Sequence, residues 1–136
     1  MKTKFISALL SSLVMFGLAG LFTGVLAREF IARNVESEML RAPPNLVLTY
    51  LGYLALALLM AFAYQYFAKS GTKSWISGLK LGLATALVWL MPYSLVLFSV
   101  YKFPYAAIPM DFGWVLVEQG LGGLVVGLVQ GRRANI

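Results

Sequence analysis

Cysteine and histidine are both missing from the 136 residues. Without Cys there is no disulfide, no zinc–thiolate site and no iron–sulfur ligand. Without His the commonest metal ligand, the usual haem ligand and the usual general base near neutral pH are gone. Acidic residues number five, and charged residues of both signs make up 12% of the chain, against about 25% in an ordinary soluble domain. Most catalytic constellations lack their parts here, and no set of nucleophile, base and oxyanion donors can be assembled. The expectation is a protein that is not an enzyme, with no cofactor and no metal.

Apolar residues fill the space that charge leaves. They form 60% of the chain, and the mean hydropathy is +0.82. That excludes a water-soluble globule and a disordered tail, and it supplies what four membrane spans of ~20 residues each require. The charges fall in clusters, and the gaps between clusters mark spans at about 5–27, 46–68, 75–100 and 112–131. Within the uncharged cores of these windows only Glu118 is ionisable, while Lys80 lies near the start of the third, placed to snorkel to the headgroups. The first run is longer than a 7–15-residue signal-peptide core and reads as a retained first helix. The fold expected is all-α, an integral-membrane four-helix transmembrane bundle forming a single domain over 1–136.

Basic residues set the orientation. Lys2, Lys4, Lys69, Lys73, Lys80, Arg132 and Arg133 share one face with no acid, while Arg28, Arg33, Arg41 and Lys102 share the other with Glu29, Glu36, Glu38 and Asp111. The positive-inside rule then puts both termini in the cytoplasm, and the expected location is a bacterial cytoplasmic (inner) membrane. The net charge of +6 sits in short clusters beside spans, which read as topology signals, either alone or with an added attraction to anionic lipid headgroups, and not as a nucleic-acid site.

The connection from Arg28 to Asn45 carries Ile31, Val35 and Met39 at helical spacing, with Glu29 four residues before Arg33. A short amphipathic helix closed by Pro43-Pro44 is expected there, either as a partner contact or as a solvated helix end. Tyr50, Tyr53, Tyr101, Tyr105 and Trp114 are placed for an aromatic belt at one interface, and Tyr64, Tyr66 and Trp75 for the other. Asp111 is expected to cap the fourth span.

Two features go beyond topology. Small residues recur at four- and seven-residue spacing: Gly78 and Gly82 in span three, then Gly113, Gly120, Gly123, Gly127 and Gly131 in span four, with Gly20 and Gly24 in span one. In lipid such faces let helix backbones meet, within one chain or between chains. The second feature is Glu118, whose carboxylate costs about 2.5–3.5 kcal/mol on insertion scales and must face protein or water. Pro92 cannot donate to the Val88 carbonyl, so a bend is expected in span three. By depth, Glu118, Gln119, Tyr93 and the Val88 carbonyl beside Pro92 form one polar layer. That layer serves as structural glue, as a proton or cation site, or as a contact for a pigment, quinone or lipid.

The charged connector Ala27–Leu40, the Gly-rich third span, the run Ile108-Pro-Met-Asp-Phe-Gly-Trp114 and the ending Gly127-Leu-Val-Gln-Gly-Arg132 resemble a widespread family of small four-span bacterial membrane proteins of unknown function. The resemblance implies the four-span layout and brings no activity with it. The leading functional expectation is an accessory or assembly subunit that meets other integral membrane proteins, or itself, through the glycine faces. The alternative is a small proton- or cation-coupled carrier or channel using Glu118.

Overall fold

The computed structural model describes residues 1–36, 38, 40, 43–68 and 70–134, without the side chains of 132–134. Met39, Arg41 and Lys69, which bear on the connector and the charge bias, lie outside the described residues, as do the side chains of Arg132 and Arg133. Helix α1 (Lys2–Leu21) runs into a π-turn at Phe22–Leu26, where the Ala27 N–H donates to the Phe22 carbonyl at 2.7 Å. A short α2 (Arg28–Asn34) follows and stops nine residues before Pro43, its Asn34 side chain turned back onto the Phe30 carbonyl. Its Glu29–Arg33 pair is 3.3 Å apart and almost fully solvated, so it contributes little.

Helix α3 (Leu46–Phe67) starts at Asn45, whose side chain accepts from the Leu48 N–H and so caps the first turn. Gly71, at φ 81°, supplies the left-handed residue for the tight return. The third span is composite: α4 (Ser74–Thr85), a π-turn at Ala86–Leu90, then α5 (Met91–Val100) with Pro92 in its first turn. The expected bend therefore takes the form of one wide turn. It opens the helix just where a proline ring would press on the preceding turn.

The fourth span begins earlier than the charge gap implied. A 3₁₀ turn at Tyr105–Ala107 feeds α6 (Ile108–Ala134). Pro109 sits early in this helix, where its missing N–H costs no hydrogen bond. Asp111 consequently lies inside the first turn and is not the cap. Four stretches are long and apolar enough to cross a membrane: Lys2–Leu26, Leu46–Phe67, Ser74–Val100 and Tyr105–Gly131. The chain is an all-α, multi-pass membrane protein.

Helix α6 is central to the bundle, with α4 against one side and α1 against another, while α3 packs mainly on α1 and closes more loosely on α4. The α4–α6 contact is a glycine seam. A Cβ added at Gly78 would lie 2.8 Å from Gly127 Cα, one at Gly123 would lie 2.6 Å from the Gly82 nitrogen, and one at Gly127 would lie 2.9 Å from Gly78 Cα. Gly82 faces Gln119 and Gly120, and Gly131 faces Ser74. The sequence-based seam is thus used inside the chain.

Several glycines behave otherwise. Gly120 itself meets only the side chains of Leu79 and Leu83, 3.3 and 3.5 Å from an added Cβ. Gly113 has nothing within 4 Å, at a level where the third span packs more lightly on α6, and Gly20 and Gly24 are equally open. Gly122, which the spacing argument passed over, is a real contact: its carbonyl accepts from Ser11 Oγ at 2.9 Å, and an added Cβ would strike Met15.

The end of the bundle that carries both termini is tied by polar bonds. Gln130 Nε2 donates to Ser7 Oγ at 3.1 Å and to the Ala61 carbonyl at 2.8 Å, Lys4 Nζ to Gln65 Oε1 at 3.2 Å, and Tyr64 OH to the Ser74 carbonyl at 3.2 Å. Tyr64 is buried and so leaves the expected belt, whereas Tyr66 and Trp75 stay exposed at that end. The buried core is small: Ala8, Met15, Ala57, Met60, Ala61, Tyr64, Leu81 and Val126. Large apolar side chains such as Leu13, Leu59 and Val88 face outward, as lipid contact requires.

Gly123→Ala is expected to cost about 1–3 kcal/mol, because the new methyl meets backbone that cannot step aside. Gly20→Ala, with open space, should be neutral or stabilising by up to about 1 kcal/mol. Thermal unfolding of the purified protein in mild detergent compares the two directly.

Candidate functional site

Asp111, Trp114 and Glu118 stand three and four residues apart on α6 and therefore share one face. Glu118 is 6% exposed. It lies thirteen residues from each end of the span Tyr105–Gly131, at the middle of the membrane crossing. Three donors hold its carboxylate. Tyr53 OH, reaching across from α3, and Trp114 Nε1 both donate to Oε2 at 3.2 Å, and Gln119 Nε2 donates to Oε1 at 3.1 Å. Among the described residues the one ion pair is Glu29–Arg33, so Glu118 is held by hydrogen bonds and not by a base.

Above this layer, toward the end opposite the termini, lies a cavity of about 590 Å³. Helix α1 contributes Ala19 and its π-turn adds Phe22 and Thr23. Helix α3 contributes Thr49, Gly52, Tyr53 and Leu56, the second π-turn Trp89 and Leu90, and α6 Asp111, Trp114, Val115, Glu118 and Gln119. The Phe22 and Trp114 rings stack with centroids 4.7 Å apart and planes 13° apart, forming one wall. Among the described residues no Lys or Arg borders the cavity, and two carboxylates do. Asp111 and Glu118, seven residues apart, are separated by ~10 Å along the helix axis.

Two acceptors on residues that border this cavity have no donor among the described residues. Gln119 is fully buried, and its Oε1 and Asp111 Oδ2 are both shielded without a hydrogen-bond partner. A buried acceptor left in that state costs about 1–3 kcal/mol. The arrangement asks for something that carries donors or positive charge. Among the described residues no three acidic side chains come together in the manner of a metal site.

Comparison with protein-family models, with curated proteins and with solved structures finds no match for this chain. The site is therefore argued from its own geometry.

Glu118 and Gln119 occupy one layer, as their depth in the span predicts. Tyr93 does not join it: its side chain is 55% exposed and makes no bond to Glu118. Pro92 is also exposed, and no hydrogen bond links Val88 to the carboxylate. Depth alone had placed these residues. The π-turn at Ala86–Leu90 adds one residue to the coil and so rotates the helix beyond it by ~100°. Tyr53 takes the place of Tyr93. It and Trp114, both expected in the interfacial belt, are half-buried on the carboxylate, while Tyr50 turns to Ser12 and Phe16. The signal for Trp114 was present in its i, i+4 spacing to Glu118. Nothing in the sequence pointed to Tyr53, which comes from a different helix.

Tyr53→Phe removes one donor from the carboxylate and is expected to destabilise the bundle by about 1–2 kcal/mol. In a Glu118→Gln background the same change should cost less, with a coupling on the order of 1 kcal/mol. A double-mutant cycle on thermal unfolding in detergent measures it, and additivity of the two changes would show that the bond carries no weight.

Proposed function

We propose that the protein is a small, non-enzymatic membrane carrier that takes a cation into the cavity between its four spans, with Glu118 as counter-charge. The observation that carries this reading is a mid-membrane carboxylate held by three neutral donors and no base, bordering a cavity that holds a second carboxylate. Placing a carboxylate at that depth is costly, and such groups mark ion or substrate paths more often than packing contacts. The negative field of Asp111 and Glu118 is strengthened by the apolar walls around it.

The accessory-subunit reading is the second choice. The glycine face of span four, which suggested it, is used against α4 in the same chain. What favours it still is the open face of Gly17, Gly20 and Gly24 on the first span, where nothing lies within 4 Å of an added Cβ.

The charge bias supports an orientation with both termini inside, and the resemblance to small bacterial membrane proteins supports a bacterial cytoplasmic membrane. In that orientation the cavity lies in the outer half of the bundle. The natural absence of Cys makes this easy to check. In intact cells a membrane-impermeant maleimide should label Ala106→Cys and leave Ser70→Cys unlabelled until the cells are opened. The reverse pattern would invert the protein.

The function itself is tested in proteoliposomes by the currents evoked by protons, alkali cations and small organic cations. At least one of these should drive a current that Glu118→Gln reduces to background and Tyr93→Phe, on the lipid-facing surface, leaves intact. If no cation does so through folded, reconstituted protein, the carrier reading fails. A stoichiometric membrane partner retained in mild detergent would then favour the accessory subunit.

A further inference from the structure

We infer that the cavity recognises an organic ammonium ion of the aryl-alkyl amine class, whose N–H group meets Glu118 and the orphaned Gln119 Oε1 and whose apolar body lies among Phe22, Tyr53, Trp89 and Trp114. The inference rests on the cation reading above and narrows it to a substrate class.

Size is the first argument. The cavity of about 590 Å³ falls within the roughly 300–1,000 Å³ typical of small-molecule sites. An inorganic cation with six waters, at ~30 Å³ per water, would fill only about a third of it. The walls are the second argument. Four aromatic side chains border a cavity that also holds two carboxylates and no base, and aromatic rings attract organic cations by their faces while tolerating an apolar tail.

The third argument separates amines from quaternary ions. Gln119 has 0% exposure and already donates its amide N–H to Glu118, so its Oε1 is fixed as an acceptor with nothing to accept from. A primary ammonium supplies three N–H donors in a compact group. It can bond the carboxylate and the amide oxygen together. A quaternary ion satisfies the charge and leaves the amide oxygen orphaned.

The test uses the full chain in detergent with Trp75→Phe, so that Trp89 and Trp114, both bordering the cavity, are the only indole emitters. Three ligands of near-equal size are titrated by fluorescence: 2-phenylethylammonium, its N,N,N-trimethyl derivative and 2-phenylethanol. The primary ammonium should bind saturably and roughly tenfold or more tighter than the alcohol. Glu118→Gln should weaken it by roughly ten- to a hundredfold. Gln119→Met should bring the primary-to-trimethyl affinity ratio to about one, whatever the loss of the donor to Glu118 does to both affinities together. That ratio is a reading a merely structural role would not move, and it remains informative if Glu118→Gln fails to fold.

Equal binding of alcohol and ammonium would overturn both this inference and the cation reading, since charge would not be read. Alkali cations or protons that act through Glu118 with no response to any amine would overturn the substrate class alone. A preference for the primary ion that survives Gln119→Met would refute the role given to the orphaned amide oxygen.

Discussion

Direct contact between two helix backbones is the constraint on which this bundle depends. Lipid gives helices no hydrophobic reason to associate, so attraction must come from close packing and hydrogen bonds. The α4–α6 seam supplies the packing, with Gly78 and Gly82 set against Gly123, Gly127 and the backbone at Gln119–Gly120. Ser11 on the Gly122 carbonyl and Gln130 on Ser7 and the Ala61 carbonyl supply the bonds. All of these lie in the half of the molecule near the termini, from the level of Gln119 to Gly131. That half is locked.

The other half is built differently. Past Thr85 the third span widens into a π-turn and continues as α5, which rests more lightly on α6. Gly113 finds no partner there. The cavity lies in this half, and its floor lies where the seam ends: Gly82 packs on Gln119, the neighbour of Glu118. Two features thus set the two ends of the design. Glycines draw the helices together up to residue 119, and the π-turn with Pro92 parts them beyond it. Burying Glu118 at the junction is feasible because Tyr53, Trp114 and Gln119 all donate to it, and a fully donated carboxylate avoids the larger penalty of an unpaired one.

The spans were legible because charge is excluded from hydrocarbon, and the clusters of Lys and Arg mark the gaps between helices. The seam was legible because four-residue spacing of glycine on two helices has a direct physical meaning. What failed was rotation about the helix axis. Tyr93 has the right depth and Tyr53 the right direction, and the difference is a single extra residue in the turn at Ala86–Leu90: Pro92 announces a bend there but not the rotation it brings. The start of the fourth span was also missed: drawn at the charge gap after Asp111, it made Asp111 a cap, when the structure places that residue in the first turn of α6, seven residues from Glu118 and bordering the cavity.

The position of the π-turns bears on the shape of the cavity. Both of them border it, one through Phe22 and Thr23 and the other through Trp89 and Leu90. A π-turn is a wide and uncommon stretch of helix, mostly a single turn inside an α-helix and frequently at a functional site. Phe22 stacks on Trp114, and Trp114 bonds Glu118, so the first π-turn touches the carboxylate through only one intervening ring. Trp89, 66% exposed at the rim, connects the second to the lipid-facing side. Both turns lie on the cavity side of Glu118, whereas the contacts of the glycine seam run from the level of Gln119 to the terminal end. The closely packed half therefore supports the carboxylate from one side, and the two π-turns shape the space on the other.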